Sequence, residues 1–311
     1  MPFYLGIDTS NYTTSTALLN TDKNKVFQQK KLLEVKEGQK GLRQSEALFQ
    51  HVRELPGLLE TLLGFGCDIK AVGYSSKPRD AEDSYMPCFL AGGESARSIA
   101  AVTGIPCYAF SHQAGHIAAA LYSIDKLQML NESFIAFHVS GGTTDVVLIK
   151  PGEDYNFKIM PIASSLDLKA GQAVDRVGLL LGLAFPAGPA LEKLALESQK
   201  KFQIHPCLKD ADCCLSGIEN ICSDMIKSNK PPCDVARYCI EYIKLTLDEM
   251  AQAVLERLGN FPMLFAGGVM SDSIIRDYMT EKYGALFAKP GFSSDNAAGI
   301  AALTKIKTEG L

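Results

Sequence analysis

Phe3-Tyr4-Leu5-Gly6-Ile7-Asp8 runs into the polar turn Thr9-Ser10-Asn11-Tyr12-Thr13-Thr14 and out again through Ser15 to Leu19. The first run reads as a buried strand that ends in an acid, and the last as a second strand. The same device recurs later. Phe134 to Val139 reads as a strand, Ser140-Gly141-Gly142-Thr143-Thr144 as a Gly-rich turn, and Asp145 to Ile149 as a strand. The copies stand about 130 residues apart, Ile7 against Val139, and that period predicts two related lobes.

Outward from these devices the pattern alternates between strands and helices. Residues 22–36 are charged and suit a further strand with its turns. Leu48, Val52, Leu55, Leu59 and Leu62 fall at helical spacing within 46–63, where Pro56 is expected to break or kink the helix. A strand over 69–74, a helix over 92–103, a short strand near 106–109 and a helix from about Ser111 follow. The second half adds helices near 170–181 and 189–199 and a long amphipathic helix over 235–258. A strand over 263–266 then runs into Gly267-Gly268, and a last helix starts at Ser294-Asp295-Asn296, an N-cap sequence. No low-complexity linker separates the halves, so close packing over a shared cleft is expected.

A length of 311 residues suits two domains. With 47% hydrophobic and 21% charged residues the composition is that of a globular protein, which excludes disorder, collagen-like structure and coiled coil. No apolar run reaches the roughly 20 residues that span a bilayer. The acid-bearing start is not a signal peptide, so a cytoplasmic protein is expected, with no membrane partner. A net charge of −4 argues against holding nucleic acid by bulk charge, though not against a local basic groove. Nine cysteines, an odd number, read as free thiols. Six of them fall between Cys207 and Cys239 without a C-x-x-C pair. Small buried hydrophobes are the first reading of that cluster, and a metal or redox role the second.

Three polar or Gly-rich turns each follow a strand: Asp8 to Thr14, Ser140 to Thr144, and Gly267-Gly268-Val269-Met270-Ser271-Asp272. Glycine lets the backbone approach a phosphate and leaves N–H groups free to donate. Three such turns fit a nucleotide held between two lobes, and plain hairpin turns are the alternative. None matches G-x-x-x-x-G-K-[ST] or G-x-G-x-x-G, which excludes P-loop and Rossmann sites. His112-Gln113-Ala114-Gly115-His116 puts two imidazoles on one helical face, where they can hold one divalent metal. From spacing alone, a cap and a packed ring fit as well. Gln113 stands where H-E-x-x-H has its glutamate, so the protease general base is missing. Asp295 is a candidate third ligand or a plain N-cap. Asp175 and Glu192 open helices, either as acceptors for ribose hydroxyls or as acids favoured by the helix dipole.

The order of Gly6-Ile7-Asp8-Thr9-Ser10, His112/His116, Val139-Ser140-Gly141-Gly142, Gly171 to Asp175, Pro186 to Glu192, Gly267-Gly268-Val269 and Ser294-Asp295-Asn296-Ala297-Ala298 resembles a known family over nearly the whole chain. It is that of the catalytic subunit of tRNA threonylcarbamoyladenosine synthase, formerly labelled O-sialoglycoprotein endopeptidase or peptidase M22. The resemblance implies an α/β actin-like ATPase (ASKHA) fold, with two ribonuclease-H-like lobes around a nucleotide cleft. On it, residues 1–128 form the lobe with the His pair and 129–311 the second lobe. It implies a carbamoyl-type acyltransferase that moves a threonylcarbamoyl group from its adenylate to N6 of a tRNA adenosine. The family's metal ligands fall on His112, His116 and Asp295, with iron or zinc as the metal. Its contacts to the adenylate or ATP-type nucleotide fall on His138, Val139, Ser140, Gly141, Gly142, Asp175, Gly188 and Glu192, with Gly267 and Gly268 in the third turn. The family's adenosine-side Asn falls on Asp272. Asp8 matches the first-lobe catalytic acid of actin-like enzymes. The implied partners are tRNA, a smaller paralogous subunit, an ATPase and a separate enzyme that makes the adenylate.

The chain departs from the family at Asn11-Tyr12-Thr13-Thr14, Thr143, Gln172 and Asp272. Between Ser75 and Gly92 the family's glycine-rich run is replaced by Ser75 to Cys88, which reads as a solvated loop first and, through Lys77 and Arg79, as an anion site second. These changes mark a divergent paralogue that keeps the metal and adenylate site. Carbamoyl transfer to another acceptor and a non-catalytic nucleotide-binding scaffold are the alternatives.

Overall fold

A computed structural model of the chain describes residues 2–10, 12–22, 25–35, 42–64, 67–81, 83–154, 156–292 and 297–311. The first elements are β1 (Pro2–Ser10), β2 (Thr13–Asn20), β3 (Lys25–Leu32), α1 (Gln44–Leu63), β4 (Asp68–Lys77), α2 (Phe89–Thr103), β5 (Cys107–Ser111) and α3 (His112–Ser123). Next come β6 (Phe134–Val139), β7 (Thr144–Pro151), β8 (Phe157–Ser164), α4 (Ala170–Leu180), α5 (Gly188–Ala195), β9 (Cys207–Lys209), β10 (Asp212–Cys214) and α6 (Gly217–Lys227). The chain finishes with α7 (Pro232–Leu258), β11 (Met263–Ala266), α8 (Ser273–Tyr283), β12 (Leu286–Phe287) and α9 (Ala298–Glu309). No described helix is long and apolar enough to cross a membrane.

The chain divides into two units. One comprises the described residues of Met1–Asn131, Pro151–Lys158 and Ser294–Leu311, the other Glu132–Lys150 and Ile159–Ser293. Each holds a five-stranded sheet among the described residues, in the orders β3-β2-β1-β4-β5 and β8-β7-β6-β11-β12. In each, an antiparallel hairpin (β1–β2, β6–β7) is extended by parallel strands reached through helices. The repeated strand–turn–strand device therefore opens two sheets of one topology.

In the first unit, one face of the sheet carries Leu5, Ile7, Leu18 and Val72 against Leu55 of α1 and Ala96 of α2. The other side receives α9, which packs on α3 and on β1, β2 and β4. This corrects the expected 129–311 lobe, since α9 belongs with the first unit. The reason is its run of small residues, Ala298, Gly299, Ala301 and Ala302, which are buried. Such a surface can lie close against the small residues of α3. Ser294, Asp295 and Asn296, the expected start of this helix, lie outside the described residues. A second correction concerns Pro56, because α1 runs through it unbroken. Proline removes one backbone hydrogen bond, and burial of Ala47, Gln50, His51 and Leu55 on one face holds the helix across that gap. Helices α6 and α8 and strands β8, β9, β10 and β12 were not expected from the sequence.

His51 is fully buried on α1, with Nδ1 2.8 Å from Thr14 Oγ1 and no hydrogen-bond partner for Nε2 among the described residues. Burial drives its pKa down to about 4, against the pull of Asp8. The folded value lies below the unfolded one, so neutral His51 stabilises the unit near pH 7. That stability is lost as pH falls from 6.5 through about 4. His51→Gln is expected to flatten the acid branch. The loss of unfolding free energy between pH 7 and 4.5, measured with urea, should shrink by about 1–2 kcal/mol.

The second unit is built on stacked aromatics across adjacent parallel strands. Phe137, Phe265 and Phe287 sit at one register level of β6, β11 and β12. The Phe137–Phe265 ring centroids are 4.4 Å apart and those of Phe265–Phe287 5.0 Å. Helix α7 buries Val235, Ile240, Ile243, Leu247 and Met250 into the same core. This rigid platform carries the turns that line the pocket described next.

Candidate functional site

Two groups of candidate residues assemble, one in each unit. In the first unit Asp8 lies within the buried part of β1 and is 1% exposed. A buried carboxylate needs donors. Ser10 Oγ donates to it at 3.0 Å, Ser75 Oγ donates to its other oxygen, and His112 Nδ1 lies 3.1 Å from Oδ1. Ser75, at the end of β4, is a site residue the sequence did not single out. A small hydroxyl on a strand carries no pattern of its own, and only the parallel pairing of β4 with β1 brings it there.

Helix α3 begins at His112 because Ser111 caps it, its side chain accepting the Ala114 N–H at 3.1 Å. His112 and His116 thus share one face, with Nε2 to Nε2 at 2.9 Å. Asp8 can only accept, so His112 Nδ1 carries the proton and its Nε2 presents a lone pair toward His116. A carboxylate behind one imidazole and two Nε2 atoms aimed at each other fit a divalent metal, for which nitrogen donors suit zinc and iron. Among the described residues no group of three His, Cys, Asp or Glu side chains forms a metal cluster. The expected third ligand, Asp295, lies outside the described residues.

In the second unit the β6–β7 turn is stapled internally. Ser140 N–H donates to Thr143 O at 2.7 Å, and Ser140 Oγ accepts from Gly142 N–H at 3.3 Å and Thr143 N–H at 3.2 Å. The start of α4 is tied to it. Ala170 N–H donates to Thr144 Oγ1 at 2.9 Å and Gly171 N–H to Ser140 O at 3.1 Å. A Cβ on Gly171 would stand 2.6 Å from Gly141 N, so only glycine allows this approach. Gly267 has φ +107°, and a Cβ there would run into Val139 O, so the β11 turn can pass beside β6 only with glycine.

Beside these turns lies a pocket of about 310 Å³, a volume in the range of small-molecule sites. Of the expected residues it takes in Gly141, Asp175, Gly188, Glu192, Gly268 and Asp272; His138, Val139, Ser140, Gly142 and Gly267 do not line it. Its apolar walls are Val174, Val269, Ile275 and, from α7, Ile240 and Ile243. Those two isoleucines were legible only as part of an amphipathic stripe. Nothing in their spacing distinguishes a pocket wall from core.

The three acids of the pocket are also structural. Asp175 Oδ1 accepts the Ala187 N–H at 2.8 Å, which fixes the turn before α5. Glu192 Oε1 accepts the N–H and the hydroxyl of Ser273, the first residue of α8. Asp272 caps the same helix, accepting the Ile275 N–H at 3.1 Å. Each uses a single oxygen in these bonds.

Burial pushes the Asp272 carboxyl up to about 6, with the nearby Glu192 adding to the rise and the Ile275 N–H opposing it. The folded value exceeds the unfolded one, so this group's contribution is present below about pH 4 and lost as pH rises through about 6. Asp272→Asn keeps the cap and removes the partly buried charge. It is expected to stabilise the protein by about 1–2 kcal/mol at pH 7 and to have little effect at pH 4.5, as read from paired urea unfolding curves.

Several solved structures share the architecture. Full-length HypF in its phosphate- and nucleotide-bound form aligns with TM-score 0.61 and 13% identity, over 98% of this chain and 55% of that one. Component A of the Acidaminococcus fermentans (R)-2-hydroxyglutaryl-CoA dehydratase aligns with TM-score 0.58 and 16% identity, over 99% and 100%. A glucokinase of the ROK family from Streptomyces griseus, in complex with glucose and AMPPNP, gives 0.52 and 11%, over 99% and 100%. The fold is the actin-like ATPase fold, as the resemblance implied. Residues 34–302 match the sequence family of tRNA N6-adenosine threonylcarbamoyltransferase, TsaD. The chain therefore belongs to the tRNA N6-adenosine threonylcarbamoyltransferase family and is an enzyme of the carbamoyl-transfer type.

Proposed function

We propose that this protein transfers a threonylcarbamoyl group from its adenylate to N6 of an adenosine in tRNA, in the cytoplasm, using one divalent metal, iron or zinc. The observation that carries the reading is the family match over 34–302 together with the pocket on which Gly141, Asp175, Gly188, Glu192 and Asp272 converge. An adenine ring fits between Val174, Val269, Ile240 and Ile275, where apolar contact stabilises a flat base. Asp175 and Glu192 each keep one carboxylate oxygen outside the bonds described above, and these accept ribose hydroxyls. Gly141 stands at the turn where a backbone N–H can meet charge developing on the reacting group. His138, Val139, Ser140, Gly142 and Gly267 support that turn rather than touch the base.

His112, His116 and Asp295 would hold the metal, which when bound acts as a Lewis acid toward a carbonyl or phosphate oxygen. Asp8 fixes the His112 tautomer and is a positioning residue for it. With a net charge of −4, tRNA binding is assigned to help from partner subunits, a smaller paralogue and an ATPase. The two lobes are proposed to divide near residue 131, with the C-terminal helix returning to the first.

Thr143 and Asp272 stand where the family has other residues, and they favour one alternative, the same carbamoyl chemistry on a different acceptor. The test supplies the full chain with threonylcarbamoyl adenylate, tRNA and the partner proteins, followed by nucleoside mass spectrometry. The proposal expects a threonylcarbamoyl-modified adenosine. Adenylate consumed with unmodified tRNA supports the other acceptor, and adenylate bound but unconsumed supports a scaffold.

A further inference from the structure

Of the six cysteines between Cys207 and Cys239, two are placed unlike the rest. Cys207 on β9 and Cys214 on β10 are direct partners in an antiparallel ribbon of three residues a side, so their side chains share one face. The two thiols are close enough for Cys207 to help raise the Cys214 thiol. Cys207 is exposed and Cys214 partly so, whereas Cys213, Cys222 and Cys239 are buried. Burial pushes the Cys213 thiol up to about 11 and the Cys222 thiol up to about 12, which leaves both protonated and inert. No third donor joins the pair in a metal cluster among the described residues. Directly opposed residues of an antiparallel pair stand at the Cα separation that a disulfide spans without backbone movement.

We propose that Cys207 and Cys214 form a reversible dithiol–disulfide site that closes by exchange with a low-molecular-weight disulfide. The Cys207 thiolate attacks one sulfur of oxidised glutathione and releases one glutathione thiolate. The Cys214 thiolate then attacks the Cys207 sulfur of the mixed disulfide and releases the second. Two electrons and the two protons of the pair end on two molecules of glutathione. Cys207 is the more exposed of the two, which makes it the first attacker, while burial and the neighbouring Asp167 raise the Cys214 thiol. A leaving thiol held above its usual range departs slowly, so the closed form resists reopening by glutathione.

Closure acts on a connected part of the fold. The ribbon is tied to the β8–α4 connection through Ser164 N–H to Asp212 Oδ1 at 2.6 Å and Leu166 N–H to Cys213 O at 2.9 Å. Just past Cys214, the Leu215 N–H donates to Asp167 Oδ1 at 2.7 Å. A cross-strand staple therefore fixes the segment that leads into α4, two turns of which line the pocket. This is independent of the function proposed above.

The experiment equilibrates the native full chain in glutathione redox buffers, traps free thiols with iodoacetamide and digests with trypsin. Cleavage after Lys201, Lys209 and Lys227 puts Cys207 in one peptide and Cys213, Cys214 and Cys222 in the next. The expected product is these two peptides joined, two hydrogens lighter than their sum and separated by dithiothreitol. It should be lost in Cys207→Ser and Cys214→Ser and retained in Cys213→Ser. Full alkylation of Cys207 in oxidising buffer, glutathione adducts on it without linkage, or a linkage surviving in Cys214→Ser would each overturn the proposal.

Discussion

His116→Ala is expected to lower the proposed transfer reaction by at least about 100-fold while leaving adenosine binding unchanged within about twofold. The first half of that expectation rests on the paired imidazoles. Their Nε2 atoms stand 2.9 Å apart, and Asp8 grips the far nitrogen of one. Losing a group that merely orients a ligating histidine typically costs 10- to 100-fold, so losing the histidine itself should cost no less. The second half rests on the pocket, all of whose lining residues come from the second unit, whereas His116 belongs to the first. Adenosine, without phosphates, probes that pocket without engaging a metal. Asp8→Asn should be milder, about 10- to 100-fold, because it disturbs the tautomer and keeps both imidazoles. Metal content by mass spectrometry should fall in step with turnover across the two variants. Unimpaired transfer by His116→Ala would remove the histidine pair from the chemistry.

The legible part of this protein was its repetition. Ile7-Asp8 and Val139-Ser140 each follow an apolar run and precede a polar turn, and strand pairing is strongly local in a hairpin, so both sheets could be anticipated from their first two strands. The His112/His116 pair was legible for the same reason, since a helical face is a matter of spacing. What escaped was non-local. Ser75 reaches Asp8 through a parallel pairing across a sequence separation of 67, and no spacing rule connects such residues. The walls Ile240 and Ile243 belong to a helix whose buried face is mostly apolar, so periodicity marks them as inward-facing and stops there. Helix α9 was assigned to the wrong lobe because sequence order is a poor guide to which sheet a terminal helix covers. Short strands such as β9, β10 and β12 bury too few residues to leave a period of two. The acids Asp175, Glu192 and Asp272 line the pocket and also hold the starts of helices, so the two roles are compatible. A structural role at a helix start therefore does not argue against a ligand contact.

Gly299→Val is expected to destabilise the first unit by at least about 3 kcal/mol, lowering the midpoint of thermal unfolding by roughly 10 °C. A Cβ at Gly299 would overlap Gly115 O and stand 2.6 Å from Ala119 N, both backbone atoms of α3. Backbone cannot rotate away as a side chain can, so the helices must separate and open a void along their whole contact. Gly115 offers a contrast across the same interface. A Cβ there meets the Cδ1 of Ile300 at 2.9 Å, the far end of a flexible side chain, so Gly115→Ala should cost distinctly less. Gly57, exposed on α1, has nothing within 4 Å of its would-be Cβ, and Gly57→Ala should stabilise by about 0.4–1 kcal/mol by restricting the unfolded chain. The three substitutions differ first in what the new Cβ touches: backbone at Gly299, a flexible side-chain end at Gly115 and nothing at Gly57. Differential scanning calorimetry on the set would expose a wrong contact map if their order were reversed. The same series reaches function, because Gly115 lies between His112 and His116 on α3. On the proposed metal site, a Gly115→Ala variant that folds but holds α3 away from α9 should lose metal at temperatures well below its unfolding transition, whereas Gly57→Ala should retain it up to that point.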